Sequence, residues 1–243
     1  MHLYGLIGKY LTHSFSKGYF QEKFALEGIT DCEYRNFELS TIEEFPEVLR
    51  QNPQLRGLNV TIPYKQVIIP YLTELATEAQ AIGAVNTVLF YGSKIRGANT
   101  DYYGFWESLK PYLHGNAYKA LILGSGGAAQ AVAYALEVNQ IPYCTVSRNP
   151  CKGQWSYEQA NAALNQYNLI INTTPLGTFP QVDAMPPLAV EKLTKKHLVY
   201  DLVYNPEQTL LLQKAAQQGA ATCNGLKMLQ LQAEKSWELW NEL

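Results

Sequence analysis

Two ionisable residues upstream of a glycine-rich turn have the chemistry needed to reduce a carbonyl group. Lys65 ends the run Gly-Leu-Asn-Val-Thr-Ile-Pro-Tyr-Lys that begins at Gly57, and Asp101 ends the run Gly-Ala-Asn-Thr-Asp that begins at Gly97. An ammonium group can donate a proton to a developing alkoxide while a carboxylate orients the ammonium. Beside a nicotinamide, such a pair indicates carbonyl reduction without a metal or a catalytic histidine.

The glycine-rich turn itself has the pattern that binds a dinucleotide. It follows the apolar run from Ala120 to Leu123, which predicts a strand, and precedes an alanine-rich segment, which predicts a helix. In this context the first glycine permits a tight turn, the second lets the backbone approach the pyrophosphate, and a small third residue keeps helix and strand close. The helix N-terminus adds free amides and a positive dipole end. The predicted cofactor-binding residues of the turn are Gly124, Ser125, Gly126, Gly127, Ala128 and Ala129.

The end of the next predicted strand favours NADP over NAD. An NAD-binding unit usually places an acid there to bond the ribose 2′-hydroxyl, whereas this chain has Ser147, Arg148 and Asn149. A guanidinium group can pair with a 2′-phosphate as a planar fork. An isolated arginine is most often a solvated loop residue, but Arg148 lies about 24 residues beyond Gly124, where such units contact the ribose. NADP is therefore the predicted cofactor.

The composition argues against several classes of partner. The 243 residues are 47% hydrophobic, enough for one large core or two modest ones. The formal charge is 19 − 21 = −2 without a long run of one sign, so we expect neither nucleic acid nor an anionic membrane as a partner. The longest apolar runs are strand-sized, far below the roughly 20 residues that cross a bilayer. We expect a monomer or a homodimer that acts on a small molecule.

The cysteines and histidines indicate neither disulfides nor a metal site. The four cysteines form no CxxC pair, and the N-terminus lacks the regions of a signal peptide, so we expect a reduced, cytoplasmic protein. None of the four histidines has a second ligand at metal spacing, which predicts that no metal is bound. His13 lies in a loop after a predicted strand, where α/β proteins bind ligands.

Aliphatic runs of strand length alternate with segments of helix length, which predicts an α/β fold. In the first hundred residues strands are predicted over 3–7, 33–37 and 58–60, helices over 17–27 and 41–50, and an antiparallel hairpin over 87–90 and 95–98. The second half begins with a βαβ unit over 120–146 and continues with strands at 169–173 and 198–202 and a helix that ends near 219.

Apolar residues from Leu226 to Trp240 recur at spacings of three and four, which predicts a final amphipathic helix. We expect this helix to return to the first domain, because a cleft between two domains needs a bracing segment. The predicted domains are therefore a substrate-binding α/β domain over 1–101 with 226–243, and a Rossmann-type NADP-binding domain over 102–225.

Eight segments of the chain resemble the shikimate dehydrogenase family and occur in the family's order. Besides the glycine-rich turn they are 8–16, 59–65, 83–87, 99–101, 172–177, 200–206 and 225–232. The resemblance covers essentially the full length. It implies NADPH-dependent, reversible reduction of the C3 ketone of 3-dehydroshikimate to shikimate, in the route through chorismate to aromatic amino acids.

The resemblance also implies a role for each matching position. Lys65 and Asp101 would form the catalytic pair, with Lys65 carrying the proton. Ser14 and Ser16 would hold the substrate carboxylate. The other substrate-binding residues would be Asn59, Thr61, Asn86, Asp101, Tyr204 and Gln232, with Tyr204 closing the site around the ring. Ser147, Arg148 and Asn149 would bind the adenosine phosphate, and the cofactor or nicotinamide pocket would be lined by Thr173, Leu202, Gly225 and Met228.

Each functional interpretation has a purely structural alternative. One of the two serines could cap a helix that begins near Lys17, and Asp101 could cap the helix through Phe105. Lys65 could be an ordinary exposed lysine. Asn59 and Asn86 could stabilise turns alone, and Gln232 could face solvent.

Two other functions are compatible with the same residues. A quinate or dual-specificity dehydrogenase would use the same chemistry, although the pair Ser14 and Ser16 mildly favours shikimate. A non-catalytic protein could use the scaffold to sense a metabolite or the cofactor. Lys65 and Asp101 argue against a sensor, which has no need of a proton-transfer pair.

Overall fold

The computed structural model describes residues 1–12, 14–115 and 117–242, and the chain divides into two compact units. Unit 1 contains Met1–Thr100 and Ala233–Leu243, and unit 2 contains Asp101–Gln232. The division falls inside the last helix, at Ala233, whereas the sequence-based boundary was residue 226. The first turns of that helix belong to unit 2. His13 lies outside the described residues.

Unit 1 is built on a six-stranded mixed sheet with three helices. The strands are β1 (His2–Gly8), β2 (Cys32–Glu38), β3 (Leu55–Val60), β4 (Glu74–Leu75), β5 (Thr87–Tyr91) and β6 (Lys94–Ala98), and they lie in the order β2-β1-β3-β5-β6-β4. The helices are α1 (Phe15–Leu26), α2 (Phe45–Gln51) and α3 (Thr77–Ile82). Strand β1 runs parallel to β2 and β3, while β5 and β6 form the predicted antiparallel hairpin.

Both faces of this sheet are covered, because successive side chains of a strand point to opposite faces. Leu3 and Ile7 of β1 join a buried cluster that includes Phe45 of α2. Tyr4 and Leu6 join a second cluster that includes Phe20, Phe24 and Trp240. Burial on both faces holds β1 rigidly in the middle of the unit.

Unit 2 contains a five-stranded, fully parallel sheet. The strands are β7 (Ala120–Leu123), β8 (Tyr143–Val146), β9 (Leu169–Asn172), β10 (Leu198–Asp201) and β11 (Ala221–Asn224), in the order β11-β10-β9-β7-β8. The helices of this part of the chain are α4 (Asp101–Leu109), α5 (Gly127–Val138), α6 (Tyr157–Ala162), α7 (Leu210–Gln217) and α8 (Leu226–Asn241). Strand β8 lies on one side of β7, and the following strands β9, β10 and β11 lie on the other. The strand order therefore reverses between β7 and β9, which is a switch point of the kind at which ligands bind in open α/β sheets.

The predicted α/β class is confirmed, and the observed strands lie close to the predicted ones. Strand β7 has the predicted bounds, and it is fully buried along its length, as the continuous apolar run indicates. Strand β11 was not predicted, because the alternation in Ala-Thr-Cys-Asn is only four residues long and its apolar members are small, and pairing with β10 places the segment in the sheet. The four cysteines are free. In the described part of the chain, no helix combines the length and apolarity needed to span a membrane.

Candidate active site

The predicted substrate-binding residues of unit 1 lie at one edge of its sheet. The loop after β1 leads to Ser14, and the loop after β3 carries Thr61 and Lys65. Because β1 and β3 are parallel neighbours, these two loops emerge at the same edge. Asn86 precedes β5, which is antiparallel to β3 and therefore begins at that edge.

Lys65 occupies a turn that is held in place by its neighbours. The hydroxyl of Tyr64, a buried side chain, donates to the Leu39 carbonyl at 2.5 Å, and Ile68 is fully buried. The Val85 amide donates to the Lys65 carbonyl at 2.7 Å. The Lys65 side chain is half-buried. It is therefore not the fully exposed lysine of the structural alternative.

The two serines do not act as helix caps. Ser14 is at the N-cap position of α1, but its side chain makes no capping hydrogen bond. Its Oγ is buried and has no hydrogen-bond partner among the described residues. Ser16 lies inside the first turn and is also buried. A buried hydroxyl without a partner is costly unless something else satisfies it, so Ser14 is suited to bind a ligand.

A buried polar cluster surrounds Asn59. Its Oδ1 accepts a hydrogen bond from the Tyr34 hydroxyl at 2.8 Å, and its Nδ2 donates to Ser236 Oγ at 3.0 Å and to the Asn86 carbonyl at 3.3 Å. Burial raises the pKa of Tyr34, and a hydrogen bond with Ser16 partly offsets this increase. The Asn59 amide thus links β2, β3 and α8 within unit 1.

Asn86 is held rigidly beside this cluster. Its Oδ1 accepts from the Thr100 amide at 2.7 Å, and its Nδ2 donates to Thr100 Oγ1 at 2.9 Å. Thr87 Oγ1 lies 2.8 Å from Ser236 Oγ. Tyr34 and Ser236 were not predicted, because polar residues in a strand or a helix give no local signal of a buried partner far along the chain.

Asp101 is the first residue of α4 and is buried. The N-cap is the residue before the first helical residue, so Asp101 does not occupy the cap position that the structural alternative gave it. An acid in the first turn still interacts favourably with the helix dipole. Farther along α4, Gly104 leaves room for α8, because a Cβ there would lie 2.6 Å from the Met228 carbonyl and 3.0 Å from Gln232 Cβ.

This packing places the predicted residues of α8 within unit 2. Met228 is buried in the same cluster as Phe105 and Ala129. Gln232 is half-buried against Gly104, so it does not simply face solvent. Tyr204 is also half-buried, and burial raises its pKa.

The loops that follow the five parallel strands of unit 2 carry the predicted cofactor residues. All five loops emerge at the carboxyl edge of the sheet, and each contributes at its start: Gly124 after β7, Ser147 after β8, Thr173 after β9, Leu202 after β10 and Gly225 after β11. This is the edge at which dinucleotides bind in such sheets.

The glycine-rich turn has the geometry needed to hold a pyrophosphate. Gly124 has φ +118°, and a Cβ there would lie 2.5 Å from Thr173 Oγ1, so only glycine fits. Gly126 is the N-cap of α5, where the first helical amides point outward. Ala129 is buried against the sheet, as predicted for the small third residue. These features fit a bound dinucleotide.

Arg148 is exposed on a loop that is closed at its base. The Ser147 amide donates to the Trp155 carbonyl, and the Trp155 amide donates to the Thr145 carbonyl, both at 2.9 Å. Ser147 Oγ accepts from the Asn149 amide at 3.3 Å, which shapes the turn around Arg148. Burial raises the pKa of Tyr157, and the nearby Arg148 charge partly offsets this increase. The loop therefore presents a cation where a 2′-phosphate would bind.

The described residues contain no group of three metal-ligating side chains. The predicted chemistry does not need one, because the predicted substrate-binding groups of unit 1 are hydroxyls, amides and the ammonium of Lys65, which suit a hydroxylated carboxylate. The anion-binding elements of unit 2 are backbone amides and a guanidinium. Together they suit an organic substrate and a phosphorylated dinucleotide.

The first third of the chain matches the family model for the shikimate dehydrogenase substrate binding domain, over residues 6–88. A shikimate dehydrogenase (NADP(+)) from Clostridium botulinum is 39% identical over 252 residues, which cover 99% of this chain and 96% of that protein.

Solved structures are similar over the whole chain. The shikimate 5-dehydrogenase of Thermus thermophilus in complex with NADP(H) and shikimate is 32% identical with a TM-score of 0.85, covering 100% of this chain and 94% of its own. A quinate dehydrogenase from Corynebacterium glutamicum in complex with NAD is 26% identical with a TM-score of 0.89 at the same coverage. The predicted family and cofactor are thereby confirmed, and the chain belongs to the shikimate dehydrogenase family of NADP-dependent oxidoreductases.

Proposed function

We propose that this enzyme catalyses the reversible, NADPH-dependent reduction of 3-dehydroshikimate to shikimate, with Lys65 as the proton carrier and Asp101 as its catalytic partner. The observation that carries the proposal is the gathering of Ser14, Thr61, Lys65 and Asn86 at one edge of the unit 1 sheet. A ring that bears a carboxylate, hydroxyls and a ketone needs this combination of hydroxyl, amide and ammonium groups.

Each residue has a defined task in this proposal. Ser14 and Ser16 donate hydrogen bonds to the substrate carboxylate, and the buried Oγ of Ser14 acquires its partner there. Asn86, with Thr61 and Gln232, binds the ring hydroxyls, while the cluster around Asn59 orients these groups. NADPH, when bound, supplies the hydride. Lys65 donates a proton to the carbonyl oxygen as its charge develops, and Asp101 orients the ammonium and binds a neighbouring hydroxyl.

The loops of unit 2 supply the proposed cofactor-binding residues. The amides of the turn from Gly124 to Ala129 bind the pyrophosphate, and Ser147, Arg148 and Asn149 bind the adenosine 2′-phosphate. Thr173, Leu202, Gly225 and Met228 would form the wall of the nicotinamide pocket. Tyr204 closes over the substrate ring.

The proposal is tested by following NADPH formation with shikimate and with quinate. We expect shikimate to be oxidised with a higher kcat/KM than quinate, and the rate to rise with pH because oxidation of the alcohol releases a proton. Comparable kcat/KM values would instead identify a dual-specificity enzyme, the candidate favoured by the likeness to a quinate dehydrogenase. Oxidation of neither substrate would contradict the proposed reaction.

From the cysteine pattern and the charge distribution we also infer a cytoplasmic enzyme that does not bind nucleic acid, and we expect it to act as a monomer or a homodimer. Light scattering of the purified protein would determine its oligomeric state.

A further inference from the structure

A buried carboxylate lies below the proposed nicotinamide wall. Asp201 is the last residue of β10 and is fully buried, as are Asn172 at the end of β9 and Thr209 at the N-cap of α7. The carboxylate accepts three hydrogen bonds, from Asn172 Nδ2 at 2.8 Å, the Val203 amide at 3.0 Å and Thr209 Oγ1 at 2.7 Å. All three contacts use the carboxylate as an acceptor, which suits its ionised form.

Each partner of Asp201 extends the network into a segment of the cofactor edge. Asn172 Oδ1 accepts from both the amide and the hydroxyl of Thr174, at 3.0 and 2.7 Å. The Val203 carbonyl accepts from the Gly225 amide at 3.2 Å, and Gly225 packs so tightly on the Leu202 carbonyl that a Cβ would clash with it. One carboxylate therefore connects the loops that carry Thr173, Leu202 and Gly225.

Among the described residues, the Asp201 carboxylate has hydrogen-bond donors as partners and no cation. Burial raises the pKa of Asp201 to about 6, and the hydrogen bonds from Thr209, Val203 and Asn172 partly offset that increase. The flanking elements carry Glu207, before α7, and Lys214, on α7, but neither contributes to the shift. Asn172 on β9 and Asn224 on β11, the register neighbours of Asp201, are neutral. Burial of an ion without a counter-ion is costly, which indicates a role beyond stability.

We propose that Asp201 is a positioning residue whose ionised carboxylate holds the loops after β9 and β10 in the arrangement that binds the nicotinamide end of the cofactor. The inference rests on the proposed placement of Thr173, Leu202 and Gly225 at the nicotinamide. The buried Asp201 side chain touches neither substrate nor cofactor. It would affect binding of the nicotinamide end of the cofactor through the loops that it holds.

The test compares the whole cofactor with its adenosine half. Asp201→Asn keeps the shape of the side chain, but removes its charge and replaces one acceptor oxygen with a donor. We expect the variant to bind NADPH about tenfold more weakly, measured by fluorescence titration, while the Kd of adenosine 2′,5′-bisphosphate, measured by its displacement of NADPH, changes by less than about twofold. This fragment contacts the turn and Arg148 but lacks the nicotinamide.

The pH dependence separates positioning from general destabilisation. NADPH binding to the native enzyme should weaken below about pH 6, as Asp201 becomes protonated. The affinity for the bisphosphate also changes in this range, because its own phosphate takes up a proton. The loss of affinity for NADPH should exceed this shared change. The Asp201→Asn variant should show only the change in affinity with pH that both ligands share. An equal loss of affinity for both ligands, or no loss for either, would overturn the proposal.

Two further variants control for folding. Ser108→Ala removes a buried 2.6 Å hydrogen bond to Tyr200, the neighbour of Asp201 on β10, and should leave both affinities unchanged. Thr174→Val removes only the hydroxyl that bonds to Asn172, and should weaken NADPH about threefold without affecting the bisphosphate. It keeps the proposal testable if Asp201→Asn does not fold. Because these are binding measurements, they remain valid even if shikimate is not the substrate.

Discussion

Lys65 is a residue whose role can be separated from binding by kinetics. We expect Lys65→Ala to lower kcat for shikimate oxidation by about 10²- to 10⁴-fold, the usual contribution of a positioned acid or base, with little change in KM. Steady-state kinetics measure both parameters. Lys94→Ala is the matched control, because Lys94 is an exposed lysine of unit 1 that pairs with Glu74. A large change in KM alone would identify Lys65 as a binding residue.

Arg148 is expected to determine the choice of cofactor. Arg148→Gln removes the planar charge from the loop after β8, and we expect KM for NADP to rise about 10- to 100-fold, as for the loss of a hydrogen bond between charged groups. KM for NAD should hardly change. Lys119→Gln serves as the control, since Lys119 precedes β7 at the opposite edge of the sheet. Equal effects on both cofactors would show that Arg148 does not contact the 2′-phosphate.

At the scale of elements, Trp240 packs the end of α8 into a buried cluster of unit 1. This side chain is buried, donates from Nε1 to the Val88 carbonyl at 3.0 Å, and packs with ring centroids 5.0 Å from Tyr4 and 5.6 Å from Phe20. Gly57 on β3 makes room for it, because a Cβ there would collide with the indole.

Trp240→Ala should therefore lower the free energy of unfolding by about 3 to 5 kcal/mol, the range for a deleted buried aromatic residue. Urea unfolding followed by circular dichroism measures this loss. Leu226→Ala changes an exposed residue of the same helix and should cost less than about 1 kcal/mol. Similar losses for the two variants would mean that the contacts of the Trp240 indole are not a major source of stability for unit 1.

For the molecule as a whole, Asp201 makes stability depend on pH in a direction opposite to that of most carboxylates. Its pKa is about 6 in the folded protein against the ordinary aspartate value of 3.8, so the folded state binds the proton more tightly. The contribution of Asp201 to the free energy of unfolding should fall by up to about 3 kcal/mol as pH rises from about 4 to about 7.

Denaturation of the native protein and of Asp201→Asn at each pH isolates this contribution, because all other groups titrate in both proteins. The stability of the native protein relative to the variant should decrease across this range. A constant difference would mean that the carboxyl has the same pKa in the folded and unfolded chains.

Local patterns in the sequence predicted the parts of the molecule that depend on neighbours along the chain. The bounds of β7, the turn from Gly124 to Ala129 and the hairpin of β5 and β6 agree with the structure. Apolar runs, glycine positions and turn residues report directly on backbone geometry, so such elements can be recognised without a partner. The proposed cofactor-binding turn and the cation at Arg148 follow from the same kind of signal.

Only the tertiary structure determined the partners of the buried polar groups. Asn59 bonds to Ser236, which is 177 positions away, and Asp201 is buried only because β9, β11 and α7 pack around it. The side chain of a serine or an aspartate is the same in a loop and in a core, so its burial and its hydrogen bonds are set by segments that the chain brings together on folding. The sequence therefore determined which chemical groups this enzyme has. Tertiary packing decided which of these groups are buried and held in place by hydrogen bonds from distant segments.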